Sequence, residues 1–166
     1  MYLNETSKKR DTKTSAFITL IFLILLGVNF SQAEPADTIK IVAKDQQVLA
    51  SSIYQVEFVL NKAISPKAVI RVTIPDEFDI SELQVAGSNT INGGFDFKIE
   101  SRTLVLERSG LGREIPPNEK VDVKFAIVKN PKAAGDNYSF DIEVLDENGL
   151  SLIKQQEKIS ILPKEE

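Results

Sequence analysis

The sequence predicts an all-β domain, a two-sheet antiparallel sandwich of about eight or nine short strands, preceded by an N-terminal export signal. Three observations predict it. Apolar and polar residues alternate along four separate segments. Gly, Asn and Pro residues that favour turns recur between those segments. The N-terminus carries basic residues followed directly by an apolar run, which is typical of exported chains.

The first 33 residues have the order of a secretory signal: basic residues, an apolar run and small residues at a cleavage site. The basic residues are Lys8, Lys9, Arg10 and Lys13. The apolar run at 16–28 has 13 residues, whereas a membrane-spanning helix needs roughly 20. We therefore expect 1–33 to be a signal helix cleaved after Ala33, and 34–166 to be one mature domain. The alternatives are an uncleaved anchor and a short buried helix.

Four segments of the mature chain have a period of two, which predicts strands with one buried face. They are 53–60, 68–74, 121–127 and 138–144. The side chains that share the apolar face are the predicted core. They are Tyr54, Val56, Phe58, Ile70, Val72, Phe125, Ile127, Phe140 and Ile142.

Weaker alternation predicts further strands between these four. Their ranges are 38–43, 83–86, 95–99, 103–107 and 150–161. Turn residues separate them, including Asn92-Gly93-Gly94 and Glu147-Asn148-Gly149, because Asn and Gly tolerate positive φ. The polar stretch at 154–158 leaves the last strand open to a bulge or a short helical turn.

Composition excludes several classes of function. The chain has no Cys, so it has no disulfides, no thiolate metal sites and no acylated cysteine of a lipoprotein. The first 33 residues contain four basic and two acidic residues, so the mature domain has 16 basic and 22 acidic residues and a net charge of −6. That acidic balance disfavours nucleic acid and anionic lipid as partners.

Two segments of the chain resemble a known family when taken together. Residues 72–78 read VTIPDEF, and residues 127–138 read IVKNPKAAGDNY. They resemble the immunoglobulin-like modules of prokaryotic exported and cell-surface proteins, with their "fP-x-x-F" corner and later "I-x-N-P-x-x-A-G-x-Y" segment. The resemblance covers about 53–146. It implies a β-sandwich and a role as spacer, adhesive unit or scaffold, and it supplies no catalytic residue.

No catalytic residues are expected. The chain has no His, which removes Ser-His and Cys-His nucleophile pairs and imidazole metal sites. Ser151 and Lys154 match a Ser-x-x-Lys pattern, but in a strand residues three apart point to opposite faces. Paired carboxylates suited to glycoside hydrolysis lack a predicted cleft.

Calcium and sugar binding are the remaining small-ligand alternatives. If consecutive strands alternate in direction, the loops at 75–82 and 129–137 lie at the same end of the sandwich. The oxygen ligands they bring are Asp76, Glu77, Asp79 and Asp136. The spacing of these residues is irregular, so we expect no high-affinity metal site and no cofactor. The aromatic candidates for a sugar platform, Phe78, Phe95 and Phe97, are expected to pack in the core.

The sequence thus predicts an exported, non-enzymatic structural or protein-interaction module of the cell envelope or surface. The expected partner is another envelope or extracellular protein, located in the periplasm, on the cell surface or in the medium. The alternative is a carbohydrate- or calcium-dependent ligand-binding module. Oligomeric state and strand order do not follow from the sequence.

Overall fold

The structure, a computed structural model, describes residues 36–164. The predicted signal segment therefore lies outside the described residues. The described chain forms nine β-strands. They are β1 (Thr38–Ala43), β2 (Ser51–Val59), β3 (Val69–Thr73), β4 (Gln84–Gly87), β5 (Phe95–Glu100), β6 (Thr103–Arg108), β7 (Lys120–Lys129), β8 (Gly135–Leu145) and β9 (Ser151–Ile161). Within this range no helix is long and apolar enough to cross a bilayer.

The strands form two antiparallel sheets that pack face to face. One sheet has four strands in the order β1-β2-β7-β4, and the other has five in the order β5-β6-β3-β8-β9. The all-β, two-sheet antiparallel class predicted from alternation is confirmed. Strands β1 and β9 are in contact across the two sheets, so β4 and β5 lie toward the opposite side of the sandwich.

The core lies between the sheets and is centred on aromatic side chains. Tyr54 stacks on Phe125 and Phe140, with ring centroids 5.7 and 5.6 Å apart. Phe78 meets Phe140 edge to face at 5.2 Å. Aromatic pairs at these distances add stabilisation beyond the area they bury. Of the nine predicted core residues, all except Ile127 are buried.

The prediction for Ile127 is wrong because of a β-bulge. Tyr54 on β2 faces Phe125 on β7, but Ser52 faces Val128, so β7 holds one extra residue between these pairs. Ile127 takes a φ of 59° at this point and is half-buried. Val128 takes the buried position instead. A regular alternation carried through the bulge places the wrong neighbour in the core.

The Asn-Pro segment after β7 forms a buried structural corner. Asn130 accepts a hydrogen bond from the Tyr54 hydroxyl and donates to the carbonyls of Asp45 and Gln47 at 3.0 and 2.8 Å. Burial, together with the charge of Asp45, raises the pKa of the Tyr54 hydroxyl. The hydroxyl therefore stays protonated and remains a donor at physiological pH.

Strand β9 spans Ser151–Ile161, within one residue of the predicted range, and stays extended through its polar stretch. It pairs with β8 through the polar stretch, where Gln155 lies opposite Ile142 and Glu157 opposite Phe140. The extended pairing continues through 154–158, so this stretch is neither a bulge nor a helical turn. Beyond β9, the N–H of Leu162 donates to the Gln46 carbonyl at 2.7 Å, which links the end of β9 to the loop after β1.

Candidate interaction surface

Edge strand β5 places apolar side chains outside the core. Phe97 lies opposite Leu106 on β6, and Ile99 lies opposite Leu104. Directly opposed side chains point to the same side of a sheet, so all four point to the core side. Leu104 and Leu106 are fully buried, yet Phe97 is 51% exposed and Ile99 41%. We refer to Phe95, Phe97 and Ile99 as the β5 apolar row.

The β5 apolar row is exposed because the facing sheet does not extend over it. The four-stranded sheet ends on that side with β4, which has only four residues. Its pairing with β7 shifts between Val85 and Gly87, and Gly87 takes a φ of 93° that ends the strand. Phe95, nearest the core, is half-buried, whereas Phe97 and Ile99 extend past the covered area.

The backbone of β5 offers hydrogen-bonding groups along its free edge. The N–H of Ser109 donates to the Gly94 carbonyl at 3.3 Å, and hydrogen-bonded pairs alternate along an antiparallel ladder. The even-numbered residues of β5 therefore bond to β6. The N–H and C=O groups of Phe95, Phe97 and Ile99 point away from β6, and within 36–164 no other strand pairs with them.

The outward side of β5 is charged. Lys98 lies 3.0 Å from Glu100 and 3.5 Å from Glu107. The hydrogen bond and charge of Glu100, with the charge of Glu107, raise the pKa of Lys98, and Lys98 lowers the pKa of Glu100. Asp96 lies opposite Glu107 and forms no ion pair within the described residues. These groups are solvent-exposed, so their ion pairs contribute little to the stability of the fold.

A buried carboxylate holds the loop that leads into β5. Asp122 on β7 accepts hydrogen bonds from the Asn89 N–H at 3.0 Å and the Thr90 hydroxyl at 2.9 Å. Burial raises the pKa of Asp122, but these hydrogen bonds and Lys124 outweigh burial and hold it below its ordinary value. The loop between β4 and β5 is thereby fixed to the four-stranded sheet.

The four calcium candidates do not come together as one site within the described residues. The loop at 75–82 does meet the end of β7, since the Asp79 N–H donates to the Lys129 carbonyl at 3.0 Å. The Ser81 N–H donates to the Asp79 carboxylate at 2.9 Å and lowers the pKa of Asp79. Glu77 and Asp136 are exposed. Among residues 36–164 no group of three or more acidic side chains is placed to hold a metal ion.

Arg102 occupies the carbonyl groups of the same loop. Its guanidinium donates to the backbone carbonyls of Pro75 and Phe78, the latter at 2.6 Å. It also lies 3.5 Å from Asp76. A cation is already present where calcium would need oxygen ligands. No pattern in the sequence indicates this role, because Arg102 is distant from the loop in the chain and reaches it from the β5–β6 turn.

The three aromatic candidates for sugar binding have different surroundings. Phe78 is buried against Tyr54, Phe140 and Tyr138. Phe95 is half-buried and Phe97 is exposed, so the expectation that all three pack in the core is wrong for Phe97. The alternation of Phe95 to Glu100 predicts a strand, but only the order of strands reveals that this strand lies at an edge.

The Ser-x-x-Lys pair lies in β9, in extended backbone. Ser151 faces Leu145 and Lys154 faces Glu143 across the β8–β9 ladder. Leu145 and Glu143 are two residues apart on β8, so their side chains share one side of the sheet, and the register shift between Val144 and Leu145 places Ser151 and Lys154 on that same side. The expectation that the two residues point to opposite faces is therefore wrong. They are nevertheless spread along an extended strand rather than stacked as in a helix.

No protein-family model matches the sequence, and no curated protein matches it. Among solved structures, the fold is similar to BslA, a bacterial hydrophobin, with a TM-score of 0.51 and 12% identity over 80% of this chain and 98% of that chain. It is also similar to a cohesin module from a family 33 glycoside hydrolase of Clostridium perfringens, with a TM-score of 0.51 and 16% identity over 77% of this chain and 96% of that one.

A third similar structure is the full-length major pilin SpaD from Corynebacterium diphtheriae. The TM-score is 0.50 and the identity 13%, over 73% of this chain and 33% of the pilin. This chain therefore spans about a third of the pilin. At these levels of identity the likeness shows the fold alone, in agreement with the sandwich predicted from the sequence.

Proposed function

We propose that this chain is an exported, non-enzymatic module that associates with a protein partner at the cell envelope or outside the cell, through the edge of β5. The observation that carries the proposal is the β5 apolar row, which is exposed beside a backbone edge that no described strand pairs. An unpaired edge accepts an additional strand through main-chain hydrogen bonds. Exposed apolar side chains beside that edge add the burial that such pairing needs.

The absence of His and Cys from the chain favours association over catalysis. The similar structures support this proposal, because they are a bacterial hydrophobin, a major pilin and a cohesin module. Export is proposed from the basic and apolar order of residues 1–33, with a mature N-terminus at Glu34.

The test is photo-crosslinking in intact cells that produce the protein. A photoreactive amino acid replaces Phe97 on the β5 edge, and a matched control variant carries it in place of Gln155 on β9, the opposite edge of the same sheet. Cell fractionation and N-terminal sequencing of the recovered protein are done in parallel, and mass spectrometry identifies each adduct.

We expect an adduct with an exported protein from position 97, at least tenfold more abundant than from position 155, on a chain that begins at Glu34. Equal labelling from both positions, or none from position 97, overturns association through β5. A cytoplasmic chain that begins at Met1 overturns export. An adduct with saccharide in place of protein supports the carbohydrate alternative.

A further inference from the structure

We propose that the partner strand at β5 is the β5 of a second copy of this chain, paired antiparallel about a two-fold axis at Phe97. This inference rests on the proposed function, and it names the partner for the same edge. The pairing joins two five-stranded sheets into one sheet of ten strands. A two-fold contact of this kind uses the same patch on both copies, so the patch must complement itself.

The charges of β5 satisfy that requirement when the two-fold axis passes through Phe97. With Phe97 opposite Phe97 of the second copy, each Asp96 lies opposite Lys98 of the other copy. The unpaired Asp96 of each copy therefore gains a cation. On the core side, the same register sets Phe95 opposite Ile99 of the other copy, so the two β5 apolar rows meet along their length. Cross-strand apolar and opposite-charge pairs each stabilise a sheet.

The hydrogen-bonding pattern of β5 limits which other registers the two copies could adopt. The free backbone groups belong to Phe95, Phe97 and Ile99, so odd-numbered residues must lie opposite odd-numbered residues. Centring the axis on Lys98 keeps that parity, but it sets Lys98 opposite Lys98 and Asp96 opposite Glu100 of the other copy. Centring on Asp96 sets Asp96 opposite Asp96. Like charges directly opposed destabilise a strand pair.

A centre at Ile99 keeps the parity and sets Lys98 opposite Glu100 of the second copy. That register brings Phe97 opposite Ser101, which lies in the β5–β6 turn with a φ of 56°. Only three residues of each strand then remain paired. The register centred on Phe97 pairs the five residues from Phe95 to Ile99 in extended backbone. Of the four registers compared, it alone sets opposite charges across the axis, keeps odd-numbered residues opposite each other and pairs five residues of each strand.

The test is sedimentation equilibrium of the unit Glu34–Glu166, which contains all nine strands. Two single variants are compared with the unchanged chain, Asp96→Lys and Lys98→Asp. Each one sets like charges opposite each other in the proposed dimer. We expect a concentration-dependent dimer for the unchanged chain, and at least tenfold weaker dimerisation for each variant. Circular dichroism checks that both variants keep the β-sheet spectrum.

An equimolar mixture of the two variants is the decisive sample. One copy then carries lysine at both positions and the other carries aspartate at both, so every pair across the axis is again of opposite charge. We expect the mixture to dimerise within about threefold of the unchanged chain. A register centred on Lys98 predicts instead that Asp96→Lys strengthens dimerisation, because the new lysine would there lie opposite Glu100 of the other copy.

Failure of the mixture to dimerise overturns the proposed register. An unchanged chain that stays monomeric up to about 1 mM overturns self-pairing, because even weak transient interfaces assemble at such concentrations. In that case an adduct from position 97 with a different exported protein still supports the proposed function. The absence of any such adduct overturns both.

Discussion

The two edges of the five-stranded sheet, β5 and β9, direct different side chains toward the core side. On β9, Gln155 and Glu157 point to that side, opposite Ile142 and Phe140. On β5, the same positions are held by Phe97 and Ile99, opposite Leu106 and Leu104. An inward-pointing charge on an edge strand blocks pairing with another chain, because pairing would bury the charge. The β9 edge carries this protection and the β5 edge lacks it.

The ends of the two strands differ as well. The end of β9 is bonded to the loop after β1 through Leu162, and that loop is held by Asn130. Strand β5 is paired with β6 along its length, and Asp122 holds the loop that precedes it. Whether an edge strand can accept another strand depends on the side chains that it points toward the core side and on the segments that pack over its ends. The alternation of apolar and polar residues determines neither of these.

The largest loss of stability is expected at Phe140, which lies opposite Glu157 on the neighbouring strand β8. Phe140 is fully buried against Tyr54 and Phe78, so Phe140→Ala leaves a cavity at the centre of the core. We expect the free energy of unfolding to fall by about 3–5 kcal/mol, measured by urea denaturation. A loss below about 1 kcal/mol would place this side chain outside the core.

The next largest loss of stability is expected where Asn130 holds the loop after β1 against the end of β9. Asn130→Ala removes the two hydrogen bonds to the carbonyls of Asp45 and Gln47 and leaves the Tyr54 hydroxyl without its acceptor. We expect a loss of about 2–3 kcal/mol, because buried polar groups are left unsatisfied. Amide exchange at Leu162 should accelerate as the loop loosens.

The matched control for that variant is Tyr54→Phe. It removes only the hydroxyl and leaves Asn130 bonded to the loop, so we expect a loss of about 1 kcal/mol and little change in exchange at Leu162. Equal effects of the two variants on exchange would show that Asn130 does not secure this end of β9.

The pH dependence of stability tests how β5 is anchored. Asp122 has a lowered folded pKa, so its contribution is present above the unfolded value of about 3.9 and is lost as pH falls through the folded value. We expect Asp122→Asn to cost about 1–2 kcal/mol at pH 7, since hydrogen bonds to a charged acceptor are stronger than those to a neutral one.

That cost should shrink below about pH 4, where the unfolded chain binds a proton at this carboxylate, and it should disappear below the lowered folded pKa, where the folded chain loses the charge as well. Thermal melts at both pH values measure it. Asp146→Asn serves as a comparison variant outside this loop. The Asp146 carboxylate lies in the β8–β9 turn and accepts a hydrogen bond from the Leu150 N–H at 2.8 Å. An Asp122→Asn cost that does not change with pH would mean that the charge of Asp122 plays no part in holding the loop.

The sequence predicted the architecture because burial on one face produces alternation. The strands with the clearest period, β2, β3, β7 and β8, are central in the two sheets and are covered on their inner faces. The prediction failed at Ile127, where the bulge in β7 inverts the alternation. No residue type near Ile127 indicates a bulge, since β-branched residues rarely adopt positive φ.

The candidate surface was less predictable than the fold. Phe97 has the alternation of a core residue, and its exposure depends on which strand lies across from it. That depends on strand order, which a single sequence does not specify. The polar stretch of β9 obscured its strand in the same way. Gln155 and Glu157 stand where alternation predicts apolar residues, and inward-pointing polar residues of this kind are a feature of edge strands.

The smallest effect on the monomer is expected at Phe97. Phe97, like Phe140, is a phenylalanine that points to the core side of its sheet. Unlike Phe140, it is half exposed, because no strand of the facing sheet covers it. Phe97→Ser should therefore change the unfolding free energy by less than about 1 kcal/mol, measured at a concentration where the chain is monomeric. The same variant should weaken dimerisation at least tenfold, because it removes the apolar contact on the two-fold axis. A large loss of monomer stability would place Phe97 in the core and close the β5 edge, whereas unchanged dimerisation would move the contact away from β5.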